Sequence, residues 1–133
     1  MAQSRVMVLG VGFDNVTMEE AAAKAIELAR SGGGYVATPN AEIVYACKKN
    51  AEAKAAVNGA ALVVPDGIGV VKASKILKRP LKERVPGVEL GMALLPAAAQ
   101  HGLKLFILGG KPGVAEEAAQ KLSQKYKGLV IAG

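Results

Sequence analysis

Leu62-Val63-Val64-Pro65-Asp66-Gly67 is the stretch on which the fold turns. Ala61 to Val64 is a short apolar run of the kind that makes a strand buried on both faces. Pro65 has no amide hydrogen for a ladder, so pairing should stop there, and Gly67 frees the backbone to turn. Beyond the break Ile68, Val71 and Ile76 recur at helical spacing, which predicts a helix up to Lys78. A buried strand passing through a polar break into a helix is the repeating unit of an α/β fold, and Asp66 stands at the strand's carboxyl end.

Working outward, the same alternation recurs. Towards the N-terminus, RVMVLG (residues 5–10) is an apolar run closed by glycine and predicts a first strand, with Gly10-Val11-Gly12 as the turn after it. Thr17 and Glu20 have the spacing of a capping box, and Ala-rich helical sequence follows to Arg30 before Ser31-Gly32-Gly33-Gly34 stops it. Tyr35 to Thr38 reads as a strand ended by Pro39. Asn40 can cap a helix over 41–49 that carries Ile43, Val44 and Cys47 on one face, and a short helix to Val57 ends at Asn58-Gly59.

Towards the C-terminus, residues 78–87 (KRPLKERVPG) hold two prolines and a cluster of cations, so they predict an exposed, functional or mobile loop. Residues 88–101 are helical in pattern, with a bend expected at Pro96. Lys104–Leu108 reads as a strand, 109–113 as a glycine loop, Val114–Lys125 as a helix and Leu129–Ala132 as a last strand. The expectation is a Rossmann-like α/β fold, a mostly parallel sheet with helices on both faces, formed by residues 1–133 as one domain. Because the last strand has no covering helix after it, the fold is expected to continue beyond residue 133 in a longer protein.

Composition narrows the function classes. The chain is 51% hydrophobic with only 4% aromatic residues, so its core should be small and aliphatic. A net charge of +6 attracts anions without choosing among them, and the scarcity of aromatics argues against base stacking on nucleic acid. Cys47 is the one cysteine, which forbids an internal disulfide and suits a reducing cytoplasm. The opening MAQSRVMVLG lacks the features of a secretory leader, and no window reaches the ~18 apolar residues of a membrane span, so membrane contact is expected to be peripheral.

In a parallel sheet, ligands collect where the strands' carboxyl ends meet helix N-termini. Four segments are expected there: Gly10-Val11-Gly12, Thr38-Pro39-Asn40, Pro65-Asp66-Gly67 and Gly109-Gly110-Lys111-Pro112-Gly113. Asp66 can act as a general base or as a helix cap. Thr38 and Asn40 can bond sugar hydroxyls or phosphate oxygens, or serve the turn and the cap. Arg84 can clamp a diphosphate or be solvated, and amides around Gly109 and Gly110 can cradle one or simply turn the chain. The loop at 109–113 lacks the Gly-Lys-Ser/Thr ending of a P-loop, and the first glycine turn fails the dinucleotide fingerprint at Asn15. His101 is the single histidine and reads as a helix-end residue, so no metal site is expected and no cofactor is implied.

TPNAEIVYAC, LVVPDGIGVV, ERVPGVEL and LFILGGKPGVAEEAA, in this order, resemble the WecG/TagA/CpsF family of bacterial glycosyltransferases, and its TagA branch most. The resemblance implies an inverting, metal-independent transfer of N-acetylmannosamine from its UDP conjugate to the 4-hydroxyl of N-acetylglucosamine on undecaprenyl diphosphate, a step of wall teichoic acid synthesis. It implies Asp66 as base, Thr38 and Asn40 as pocket residues, Arg84 on the leaving diphosphate, and Gly109 and Gly110 on the nucleotide side. It further implies a homo-oligomer working peripherally at the inner face of the plasma membrane, with a C-terminal appendage that aids docking. The alternative is a non-enzymatic nucleotide-binding or regulatory module using the same edge; a nucleotide-dependent oxidoreductase is disfavoured by the failed fingerprint.

Overall fold

The computed structural model describes residues 5–133; Met1 to Ser4, the start of the segment read for a leader, lie outside the described residues. The chain is mixed α/β and divides into two compact units, residues 1–90 and 91–133. In the first unit, β1 (Val6–Val8) and β2 (Val11–Phe13) precede α1 (Met18–Ser31), β3 (Val36–Ala37), α2 (Ala41–Lys49), α3 (Ala51–Asn58), β4 (Leu62–Val63) and α4 (Ile68–Ile76). Helix α5 (Gly87–Gln100) runs on through Pro96 and crosses the unit boundary. β5 (Lys104–Leu105), α6 (Val114–Lys125) and β6 (Val130–Ile131) follow.

The strands pair two by two, β1 with β2, β3 with β4 and β5 with β6. The last two pairs are parallel, as the strand–helix alternation predicts. The first corrects the sequence reading: residues 5–10 do not form one strand closed by a glycine turn. Val8 faces Val11 across a two-residue loop, Leu9-Gly10, in an antiparallel hairpin. Both loop residues have positive φ, 48° and 88°, which matches the twist of hairpin strands. Such loops favour Asn-Gly or Asp-Gly, so a leucine in this place disguises the turn. Asn58 supports it from outside: its Nδ2 donates to Gly10 O at 2.9 Å and its Oδ1 accepts from Gly12 N at 2.9 Å. Gly10-Val11-Gly12 is therefore loop and strand, not a ligand turn after a parallel strand.

The parallel ladder of β3 and β4 extends beyond the assigned strands. Ala61 N donates to Tyr35 O at 2.9 Å, Val64 N to Ala37 O at 3.0 Å and Asp66 N to Pro39 O at 3.2 Å. On its other side Val63 bonds Asp14, the residue that follows β2: Asp14 N donates to Val63 O at 2.8 Å and Val63 N to Asp14 Oδ2 at 2.8 Å. A side-chain oxygen thus takes the place of a strand carbonyl. Arg5 locks the arrangement, its Nε at 3.4 Å from Asp14 Oδ1, its Nη1 donating to Asn58 O at 2.8 Å and its Nη2 to Ala60 O at 2.6 Å.

The core of this unit is aliphatic, as the composition predicts. Val8, Val11, Phe13, Val44, Cys47, Val63, Val70 and Leu81 form one buried cluster. Helix α1 carries the predicted capping box, with Glu20 N donating to Thr17 Oγ1 and Thr17 N to Glu20 Oε1. That backbone bond from Thr17, with a lesser contribution from the Lys82 ammonium, holds the Glu20 carboxyl below its ordinary value. In α4, Val70, Val71 and Ser74 face inward, whereas Ile68 and Ile76 are exposed, so the helical recurrence of Ile68, Val71 and Ile76 is not a single core stripe.

Replacing Asp14 with alanine would strand the Val63 amide and release Arg5. The expected loss is about 2–4 kcal/mol of stability, read as a lower urea midpoint at unchanged slope, with Asp14→Asn losing less because one acceptor survives.

Candidate functional site

The carboxyl ends of β3 and β4 bring two of the sequence-predicted residues together. Thr38 follows β3, and Asp66 follows β4 after the buried Pro65. Their common neighbour is Gly87, the first residue of α5. Gly87 N donates to Asp66 Oδ2 at 3.1 Å, and a Cβ added at Gly87 would lie 3.0 Å from Thr38 Oγ1 and 3.2 Å from its Cβ and Cγ2. Contact that tight excludes a side chain at position 87 unless Thr38 moves.

Asp66 is half-buried, and its helix-capping role is not the expected one. The N-cap of α4 is Gly67, with no side-chain cap bond, while the Asp66 carboxylate accepts from the first amide of α5 instead. It therefore sits at the positive end of a helix different from the one it introduces. Among the described residues its Oδ1 takes no hydrogen bond. One oxygen fixes the carboxylate, and the other remains available as a proton acceptor, the arrangement a general base needs.

The segment from Leu81 to Gly87 is exposed at Lys82, Glu83 and Arg84 but anchored throughout its length. Leu81 N donates to the buried Ser74 Oγ at 3.0 Å, Lys82 N to Asn15 Oδ1 at 2.8 Å, and Glu83 Oε1 accepts from Met18 N at 2.7 Å. Val85, fully buried, donates its amide to Pro65 O at 2.7 Å. The loop is thus pinned, and Arg84 is carried by a segment bonded to the residue immediately before Asp66. Among the described residues the Arg84 guanidinium makes no hydrogen bond or ion pair. Asn15, Glu83 and Ser74 are positioning residues that the sequence does not single out, because the partners they meet are distant in the chain.

Asn40 is a cap: its Oδ1 accepts from Ile43 N at 2.9 Å at the start of α2. Gly109 and Gly110 belong to the second unit, exposed at the carboxyl end of β5 with φ of 105° and 82°. Gly113, also at positive φ, is the N-cap of α6 and leaves that helix without a side-chain cap. Val114 N, the first amide of α6, donates to Lys111 O at 3.1 Å, so the glycine turn is closed on itself at that position and opens only onto the amides that follow it.

Residues 6–133 match the model of the glycosyl transferase WecG/TagA/CpsF family. The chain belongs to that family. It is 37% identical over 132 residues to the N-acetylglucosaminyldiphosphoundecaprenol N-acetyl-beta-D-mannosaminyltransferases of Staphylococcus aureus strains NCTC 8325, COL and MSSA476. Each match covers 97% of this chain and 52% of the relative's own length, so the chain spans about half the length of these family members.

The contact between Gly87 and Thr38 can be tested without turnover. Gly87→Ala should push Thr38 by a few tenths of an ångström and lengthen the bond from residue 87 to Asp66, visible in a crystal structure of the variant. An unchanged Thr38 position would show that the contact is slack.

Proposed function

We propose that the chain carries the base-bearing part of a glycosyltransferase that moves N-acetylmannosamine from UDP-N-acetylmannosamine to the 4-hydroxyl of N-acetylglucosamine on undecaprenyl diphosphate. The observation that carries the proposal is the Asp66 carboxylate, held through Oδ2 at the start of α5 and open at Oδ1 beside the C-terminal ends of β3 and β4. The name of the Staphylococcus aureus relatives supplies the acceptor and the transferred sugar.

In this mechanism the acceptor hydroxyl gives its proton to Asp66 Oδ1 while its oxygen attacks the anomeric carbon of the donor. The bond from that carbon to the UDP oxygen breaks, and the configuration inverts to a β-linkage. Negative charge then grows on the departing diphosphate. The Arg84 guanidinium takes that charge as a bidentate donor, which replaces the usual service of a divalent metal. Thr38 offers a hydroxyl to the sugar beside Asp66. Asn40, whose Oδ1 is engaged by α2, has its amide nitrogen for a ligand, and Gly109 and Gly110 offer backbone amides to the nucleotide.

No helix among the described residues is long and apolar enough to cross a membrane, and the proposed acceptor is lipid-linked. The lipid-linked acceptor, not the absence of a spanning helix, is what supports placing the proposed reaction at the membrane surface. The peripheral, cytoplasmic-face, homo-oligomeric state is part of the proposal that the family resemblance implies.

Assayed at its natural length with UDP-N-acetylmannosamine and a soluble analogue of the lipid acceptor, Asp66→Asn should lower kcat by roughly a hundredfold or more while UDP affinity changes little. Undiminished turnover would remove Asp66 from the base role, and UDP binding without any transfer by the native protein would favour a binding module. Added EDTA should leave the rate unchanged; a metal requirement would contradict the part given to Arg84.

A further inference from the structure

The outer face of α4 is unlike an ordinary solvated helix face. Ile68, Lys72, Lys75 and Ile76 stand at positions i, i+4, i+7 and i+8, one stripe, opposite the inward Val70, Val71 and Ser74. Ile76 is 80% exposed and Ile68 58%. The stripe continues past the helix end into Leu77, 49% exposed, and into the exposed Lys78 and Arg79. No acidic residue lies between Gly67 and Lys82. Among the described residues none of Lys72, Lys75, Lys78 and Arg79 makes an ion pair.

The end of the helix is also held in shape. Arg79 N donates to Ser74 O and Lys78 N to Lys75 O, each at 3.0 Å, the paired bonds of a Schellman cap. Lys78 occupies the left-handed position with φ of 60°, where glycine is the ordinary choice. A lysine is therefore kept at a place where its backbone is strained, and the adjoining residues turn outward as a fixed cluster rather than a frayed end.

We propose that this face is a docking surface for an anionic lipid bilayer. Charge complementarity names the occupant: the cations meet headgroup phosphates while Ile68, Ile76 and Leu77 enter the boundary between headgroups and acyl chains, the division of labour of an interfacial helix. A nucleic acid would match the charge but leave the isoleucines without a partner, and the stripe has no aromatic side chain to stack on a base. Ile68 is two residues from Asp66, so docking through this face sets the carboxylate close to the level of the headgroups. That consequence rests on the proposed function; the surface itself does not.

The test is co-sedimentation of the natural-length protein with vesicles of phosphatidylcholine alone or mixed with phosphatidylglycerol. The native protein should bind the anionic vesicles, more weakly as salt rises, and ignore the neutral ones. Lys72→Gln, Lys75→Gln and Lys78→Gln together should weaken binding on the order of a hundredfold, about fivefold for each cation. Ile76→Ser should weaken it at every salt concentration, with circular dichroism unchanged in both variants. A control pair on α6, Lys121→Gln with Lys125→Gln, should lose much less. Equal loss in the control, or undiminished binding by the α4 variants, would overturn the surface while leaving peripheral attachment standing. No binding by the native protein, or a change confined to self-association or nucleic-acid capture, would overturn it too, and the transferase reading would still be decided by turnover on the soluble acceptor.

Discussion

Val63 bonds Asp14 through both of its backbone groups, and the rest of the first unit hangs on that join. Consecutive residues of a strand turn their amides to opposite sides, so with Val63 committed to Asp14, Val64 is free to bond Ala37 of β3. β4 is thereby fixed from both flanks. Arg5 fastens the same place from the start of β1 by reaching the carbonyls of Asn58 and Ala60, just before β4 begins. Charge-assisted bonds of this kind, largely shielded from solvent, are stronger than neutral ones and better directed. Asp66 lies only three residues beyond Val63, which leaves the carboxylate little freedom in where it points.

A second constraint acts from the other direction. Pro65 and Asp66 receive the amides of Val85 and Gly87, so the loop after α4 returns to the strand end it left. Ser74 makes that return possible: it is fully buried, satisfied by Val71 O and the Leu81 amide, and ties the helix to the loop. Further anchors at Asn15 and Met18 hold the exposed part of the loop against the approach to α1. The role proposed for Asp66 requires rigid supports, and those supports come from the sheet, two helices and a pinned loop.

The junction at residues 62–67 is legible in the sequence because its signals are local: an apolar run, a proline that ends pairing and a helical period after it. The same holds for the Thr17–Glu20 capping box and the Asn40 cap, which depend on residues three apart. The hairpin is not legible, because Leu9 occupies a left-handed turn position where a small or polar residue is expected. Asp14, Arg5 and Asn58 act across separations of nine to fifty-five residues, and no periodicity announces them. Asp66 illustrates the division well. Its place at a strand end follows from its neighbours, but its partner, the amide of Gly87, comes from a helix that begins twenty-one residues later. The exposed stripe of α4 is the reverse case: Ile68 and Ile76 have the spacing of core residues, and only the tertiary packing shows that Val70 and Val71 take the interior instead.

In the proposed mechanism Asp66 Oδ1 receives the acceptor's proton. A crystal structure of the natural-length protein with UDP and a soluble acceptor analogue tests it most directly. The acceptor 4-hydroxyl should lie within about 3 Å of Oδ1, with Oδ2 still on the Gly87 amide. An acceptor hydroxyl that bonds another side chain, with Asp66 turned away from the sugar, would contradict it.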